Sequence, residues 1–445
     1  MANKLWDKGY DVDSRIESFT VGKDRELDIF LAPYDVLGTM AHITMLQKVG
    51  LLEKEELDSL LPELKAIYDS ALEGRFEIED GVEDVHSQVE LMLTRKLGPV
   101  GKKVHTGRSR NDQVLVDLKL YSRDQLKKIV QKVCELFSIL QKRSEEGKDV
   151  LMPGYTHLQV AMPSSFGLWF GAYAESLTSD MQMLKAAWEI TNCNPLGTAA
   201  GYGSSAPLDR KLTTRLLGFA DLDYNSVYAQ MGRGKTERII AMALSCVAET
   251  VGRLAYDCCL FNSQNFGFVK LPEQMTTGSS IMPHKKNPDV FELLRAHCNR
   301  ICGIPGDIRL ISGNLPSGYF RDMQLIKEIF IPMFQEMEDC LDIACFAMQN
   351  IVIKEGLMED PRYALAFSVE KVNSLAESGV PFRDAYRQVA AEINDGTFSY
   401  DGKLDHTHEG SIGNLCNGSI AGKMQKITAG FNFDKVDQAV KDILG

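Results

Sequence analysis

Apolar residues recur along this chain at helical spacing over unusually long distances. Ile240, Leu244, Val247, Val251, Leu254, Cys258 and Phe261 follow one another in alternating steps of four and three. Leu126, Ile129, Val133, Leu136 and Leu140 do the same, and Phe170, Tyr173, Leu177, Met181, Leu184 and Trp188 recur in steps of three or four. Each set makes an apolar seam down one face of a long helix. Seams of this length predict a bundle whose helices run past one small core, into partner chains. No comparable stretch alternates polar and apolar residues, so few strands are expected and the fold class reads as all-α. Gly- and Pro-containing loops interrupt the seams near 152–165, 192–210, 263–288 and 313–321. The pattern predicts three helical domains: short helices over 1–106, a central long-helix bundle over 107–355, and shorter helices over 356–445.

Composition narrows the partners. Lys and Arg total 49 against 61 Asp and Glu, a formal charge of −12, which disfavours nucleic acid or an anionic membrane as a partner. An anionic substrate would need positive groups concentrated locally. Met1 to Tyr10 has no basic region followed by an apolar run, and no run of 18 apolar residues occurs, so neither a signal peptide nor a membrane span is expected. The ten cysteines are scattered, without a CxxC, which suits a reducing cytoplasm better than disulfides or zinc.

Three segments could carry chemistry. Thr277-Gly-Ser-Ser-Ile-Met-Pro-His-Lys-Lys-Asn-Pro-Asp289 packs hydroxyls and lysines into a loop ahead of a helix. Its backbone N–H groups and Lys285 could lower the cost of a negative charge, or it could be a polar loop that caps the helix. Met152-Pro-Gly-Tyr-Thr-His-Leu-Gln159 holds His157, whose ordinary pKa lies near neutrality, as a candidate acid or base; a structural histidine beside a turn is the alternative. His105-Thr-Gly-Arg-Ser-Arg-Asn-Asp-Gln113 sets two arginines beside Ser109 and Asn111 at a helix start, either a carboxylate cradle or a solvated basic turn. Gly197-Thr-Ala-Ala-Gly-Tyr-Gly-Ser-Ser205 is Gly-rich but lacks the ending of a phosphate-binding loop. His406-Thr-His-Glu409 reads as a turn, with no further ligands at metal spacing. His86 reads as a helix-start residue or as one that supports a site residue from behind. No metal and no organic cofactor is expected.

Taken together, the three segments resemble the fumarase/aspartase superfamily, whose members release fumarate; the GSSxMPxKxNP pattern is its signature. Gly107–Gln113, Pro153–Gln159, Glu83–His86, Tyr319–Gln324 with Lys327, and Val380–Ala385 resemble the argininosuccinate lyase branch in particular, so the likeness spans nearly the whole chain. The resemblance implies a lyase that splits argininosuccinate into arginine and fumarate. It implies that Ser279, on a mobile loop, acts on the Cβ proton, and that His157, oriented by Glu292, is the partner acid or base. Lys285 and Asn287 would then stabilise the carbanion-like intermediate. Ser109, Asn111, Thr156, Tyr319, Gln324 and Lys327 would hold the substrate. Ser279 as base and His157 as acid is the assignment adopted, although such families exchange the two roles. An adenylosuccinate lyase would have to bind a nucleotide phosphate, and a crystallin-like structural protein would not need Ser279 and His157.

Several positions depart from that branch: His284, Met162, Tyr202 with Gly203, and Tyr386. Phe19-Thr-Val-Gly22 offers no clean match to its N-terminal substrate-binding serine. One geometric expectation follows from the residues themselves. A helix of some thirty residues from Asn111 to Arg143, at 1.5 Å per residue, holds Asn111 and the His157 segment roughly 45 Å apart. Shared sites in a homotetramer, which the resemblance also implies, would bring such ends together.

Overall fold

The longest helix shows why the bundle forms. Ser109 caps it: its hydroxyl accepts the Asn111 N–H, while the Asp112 side chain returns to the Ser109 N–H. No Gly or Pro follows until Gly147, so the helix runs unbroken for 37 residues, Arg110–Glu146. At 1.5 Å per residue that is about 55 Å.

The computed structural model describes residues 13–402 and 404–445. The N-terminal helices are α1 (Ser14–Val21), α2 (Asp24–Asp28), α3 (Ala32–Lys48), α4 (Lys54–Leu72), α5 (Val85–Leu97) and α6 (Pro99–Lys102). The bundle consists of α7 (Arg110–Glu146), α8 (Phe166–Thr191), α11 (Lys235–Asn262), α12 (Asp289–Ser312) and α13 (Lys327–Asn350); α9 (Arg210–Leu216) and α10 (Ser226–Met231) lie between its members. Beyond it come α14 (Ser368–Glu377), α15 (Phe382–Asn394), α16 (Asn417–Thr428) and α17 (Phe433–Leu444).

All three predicted seams are buried, on α7, α8 and α11, and they merge into one core with α12 and α13. By length and composition α11 and the stretch 14–48 could each cross a membrane, but most of each is buried inside the protein. Their apolar surface goes into the core. The helices α14 and α15 share a small separate core around Val372, Ala385 and Val389. The last two helices leave that unit: α16 packs on α8, and α17 reaches back to the bundle and the N-terminal helices through Lys127–Asp437 and Trp188–Phe433.

Among the described residues, strands form only two-stranded sheets. They are β1 (Leu151–Thr156) with β2 (Gln159–Ser165), β3 (Cys193–Asn194) with β4 (Asp221–Leu222), β5 (Val269–Lys270) with β8 (Val352–Ile353), and β6 (Thr277–Gly278) with β7 (Lys286–Asn287). The loop expected near 152–165 is therefore a hairpin. Its register, Pro153 opposite Pro163 and Thr156 opposite Gln159, contains a bulge that sets Ala161 and Met162 of β2 opposite Gly154 of β1, which breaks the two-residue alternation by which a strand is read.

Contacts between helix ends orient the bundle. At one end Arg143 donates to the Ile351 carbonyl, Trp169 packs on Phe261, and Arg295 stacks on Tyr256. The end of α7, the start of α8, the end of α11 and the start of α12 therefore meet there. At the other end, a Cβ added to Gly234 would lie 3.0 Å from the Ser312 Cβ, and Arg233 donates to the Met323 carbonyl. The start of α11, the end of α12 and the start of α13 meet at this second end.

Candidate active site

The candidate residues divide between these two ends. At the first end, β1 and β2 are joined by His157 and Leu158 alone, with φ of 54° and 58°. Two successive positive φ values are what a tight two-residue hairpin demands, and Gly or Asn normally supplies them. Here a histidine and a leucine bear that strain, with both side chains and Thr156 exposed. Tyr155 fastens the hairpin to Phe266 and Phe268 beyond α11. At the same end, β6 and β7 present the loop 279–285 ahead of α12. The Ser279 Oγ accepts the N–H of Met282 at 3.1 Å and more weakly that of Ile281 at 3.4 Å, donors that favour a negative oxygen there. Thr277 bonds Asp289, and Lys286 is held by Glu273 at 2.8 Å. Among the described residues, His157, Lys285, Asn287 and Glu292 have no side-chain bond, and Lys285 and Glu292 are exposed.

The second end forms a cleft of about 180 Å³ that gathers Asn111, Tyr319, Gln324 and Lys327. It also gathers Arg110, one of the two arginines of the candidate cradle, and charges left unassigned by the sequence: Asp24, Asp28, Glu83, Asp84, Arg233 and Arg321. Lys327 is buried between Asp28 at 2.6 Å and Asp24 at 2.7 Å. Burial, opposed by Lys327 and helped by Asp28, pushes the Asp24 carboxyl up to about 6. Arg110 pairs with Glu83 at 2.9 Å and Asp84 at 3.1 Å, Arg321 with Glu83 at 2.7 Å, and Arg233 with Glu237 at 2.9 Å. Gln324 donates to the carbonyls of Thr20 and Val21, so the stretch 19–22 meets the cleft through its backbone. Ser109 spends its hydroxyl as the α7 cap. Arg108 does not face the cleft; it turns inward to Thr39 and the Val104 carbonyl, so only Arg110 of the two flanking arginines lines it. The side chains of Asn111 and Tyr319 have no bonded partner among the described residues.

On the floor of the cleft, His86 is the second residue of α5, which Asp84 caps. Its Nδ1 bonds Asp35 at 2.7 Å and lies 3.5 Å from Asp117. Burial opposes charge on this ring, but Asp35, with Asp117 and Asp84 behind it, outweighs burial and holds the pKa at about 9. The three side chains bring their ligand atoms within 4.8 Å of one another, a spacing that a cation could use. The imidazolium already bonds one carboxylate, Asp35, while burial and the neighbouring Asp35 charge push the Asp117 carboxyl well above the usual range, so the donor set fits a protonated histidine between two acids better than a metal. His406, the other histidine considered as a ligand, bonds Glu370 at 3.0 Å.

A long-helix bundle that splits its candidate groups between two ends defines a lyase of the fumarase/aspartase type. A family model described as Lyase matches residues 10–303. Argininosuccinate lyases of Phocaeicola vulgatus and Bacteroides thetaiotaomicron are each 62% identical over 445 residues, covering all of both chains. That of Thermotoga neapolitana is 40% identical over 390 residues, 88% of this chain and 98% of its own. The chain belongs to the argininosuccinate lyase family. Among solved structures, an EDDS lyase variant with bound fumarate shares the fold at a TM-score of 0.77 with 21% identity, over 98% of this chain and 94% of its own.

Proposed function

We propose that this protein cleaves argininosuccinate to L-arginine and fumarate in the cytoplasm, as a homotetramer whose active sites combine the cleft of one chain with the hairpin and loop of others. The observation that carries the shared site is the separation of the two ends. From Glu292 to the end of α12 is about twenty residues, or ~30 Å of rigid helix. The electrostatics agree. Every cation lining the cleft is already paired, whereas Lys285, at the other end, is free for a substrate carboxylate. A groove of about 760 Å³ between α12 and α13, lined by Val290, Leu293, Ile331 and Ile343 among others, offers apolar surface for a neighbouring chain.

In this reading Ser279 takes the Cβ proton while Lys285 and Asn287 hold the carboxylate on which negative charge develops. The electron pair left on Cβ forms the new double bond as the C–N bond breaks. The departing guanidino nitrogen takes a proton from His157, supported by Glu292. Asn111, Thr156 and Tyr319 grip the substrate, with Ser109, Gln324 and Lys327 shaping the cleft around it. Fumarate absorbance from argininosuccinate, with adenylosuccinate as control, tests the reaction; release from adenylosuccinate alone would move the chain to the other branch. The shared site is tested with Asn111→Leu and His157→Asn, each expected to be inactive. Dissociated, mixed and reassembled, they should regain part of the activity, because some sites then contain only intact segments. No recovery in confirmed mixed tetramers would refute sharing.

A further inference from the structure

One element reaches toward both free donors of the cleft, Asn111 and Tyr319: the Gly-rich segment Gly197–Ser205, which the proton-transfer scheme does not use. Its anchor is Asp112, fully buried and next to Asn111. One oxygen of Asp112 accepts the Ser109 N–H at 2.9 Å; the other accepts the N–H groups of Gly197 and Ala199, each at 2.9 Å. Amides converging on one oxygen form an anion nest, filled here by the protein's own carboxylate. The loop beyond is stiff. The Thr198 carbonyl accepts from Gly201 at 3.0 Å and Gly203 at 3.1 Å, and Ala199 is held at φ 51°. At Gly201 a Cβ would lie 2.5 Å from the Gln230 Cγ, so only glycine fits. At the tip, the Tyr202 hydroxyl overhangs Gly318 without a hydrogen bond, its oxygen 3.5 Å from the place a Cβ would take there. Gly318 has φ 111°, and the next residue is Tyr319. Tyr202 itself is 74% exposed, so its ring adds little to the core.

We propose that Tyr202 is a positioning residue for substrate recognition. Anchored through the loop to Asp112, its hydroxyl props the Gly318–Tyr319 turn and keeps the Tyr319 phenol in register with Asn111. This rests on the reading that Tyr319 meets the substrate. Because the cleft holds an arm of the substrate away from the reacting bond, the effect falls on KM rather than kcat.

Steady-state kinetics of the full-length enzyme on argininosuccinate test it. Tyr202→Ala should raise KM about tenfold with kcat changed less than about twofold and an unchanged melting temperature. Tyr202→Phe keeps the ring but withdraws the oxygen, and should fall in between. Tyr319→Ala should raise KM at least as much, and adding Tyr202→Ala to it should cost nothing further, as expected for residues that act through one another. A normal KM in Tyr202→Ala beside a raised KM in Tyr319→Ala would overturn the proposal while leaving the cleft reading intact. A normal KM in Tyr319→Ala would overturn the cleft reading itself. A raised KM accompanied by a lowered melting temperature would reduce Tyr202 to a structural role and also overturn the proposal.

Discussion

The two ends of the bundle hold their polar groups in opposite ways. In the cleft, Lys327 lies buried between two aspartates, Arg110 between Glu83 and Asp84, and His86 between Asp35 and Asp117. At the hairpin end, His157, Lys285 and Glu292 stand exposed and unpaired, His157 on a strained two-residue turn and Lys285 on a loop. A charge removed from water is costly unless it is paired, so the cleft must complete its network within one chain. Groups that remain in solvent pay no such penalty and stay free for chemistry. The difference teaches that folding alone fixes the charges of the cleft and leaves those of the hairpin end unengaged, which is what the proposed shared site requires: recognition pre-organised in one chain, and proton-transfer groups completed by another.

The largest effect expected from breaking this contrast is on rate. Ser279→Ala should lower kcat by about 10³-fold, within the range for a lost general base, while argininosuccinate still binds. Turnover above a tenth of the wild-type value would remove Ser279 from the role of base. Stability should respond at the opposite end. Lys327→Met leaves Asp24 and Asp28 unpaired and should cost about 3–5 kcal/mol in urea unfolding, against less than about 0.5 kcal/mol for the exposed Lys285→Met. Equal losses in the two variants would erase the contrast.

The His86 triad predicts a pH dependence. Its folded pKa, about 9, lies above the ordinary 6.5, so the folded state binds the proton more tightly than the unfolded state. The stabilisation is therefore complete below about pH 6.5 and is lost as pH rises through 9, on the order of 3 kcal/mol in all. The urea midpoint should fall over that window in the wild type and fall less in His86→Gln; parallel curves would show that the ring does not carry the charge. The smallest effect concerns the strained turn. Leu158→Gly should stabilise the fold by about 0.5–1 kcal/mol by relieving a left-handed residue with little packing to lose. A drop in the melting temperature would mean that Leu158 packs against something beyond its own chain.

What the sequence by itself determined is the part of the protein governed by local period and covalent order. The seams on α7, α8 and α11 were legible because a helix repeats its buried face every three to four residues, so burial leaves a signature in the order of residues. The absence of Gly and Pro from Arg110 to Glu146 likewise forces one straight rod, and with it the separation of Asn111 from His157. The motif segments were legible through their resemblance to a known branch. The hairpin at 151–165 was not, because Pro153, Gly154 and the bulge erase the alternation on which a strand is recognised. Nor were the partners of Lys327, Arg110 and His86. Asp24 and Asp28 lie some 300 positions from Lys327, and a charged residue that will be buried against a distant opposite charge looks, in sequence, the same as one facing water. Only the tertiary structure decided which charges became buried pairs and which stayed free, because Coulomb attraction and desolvation act through space between groups that only chain folding brings together.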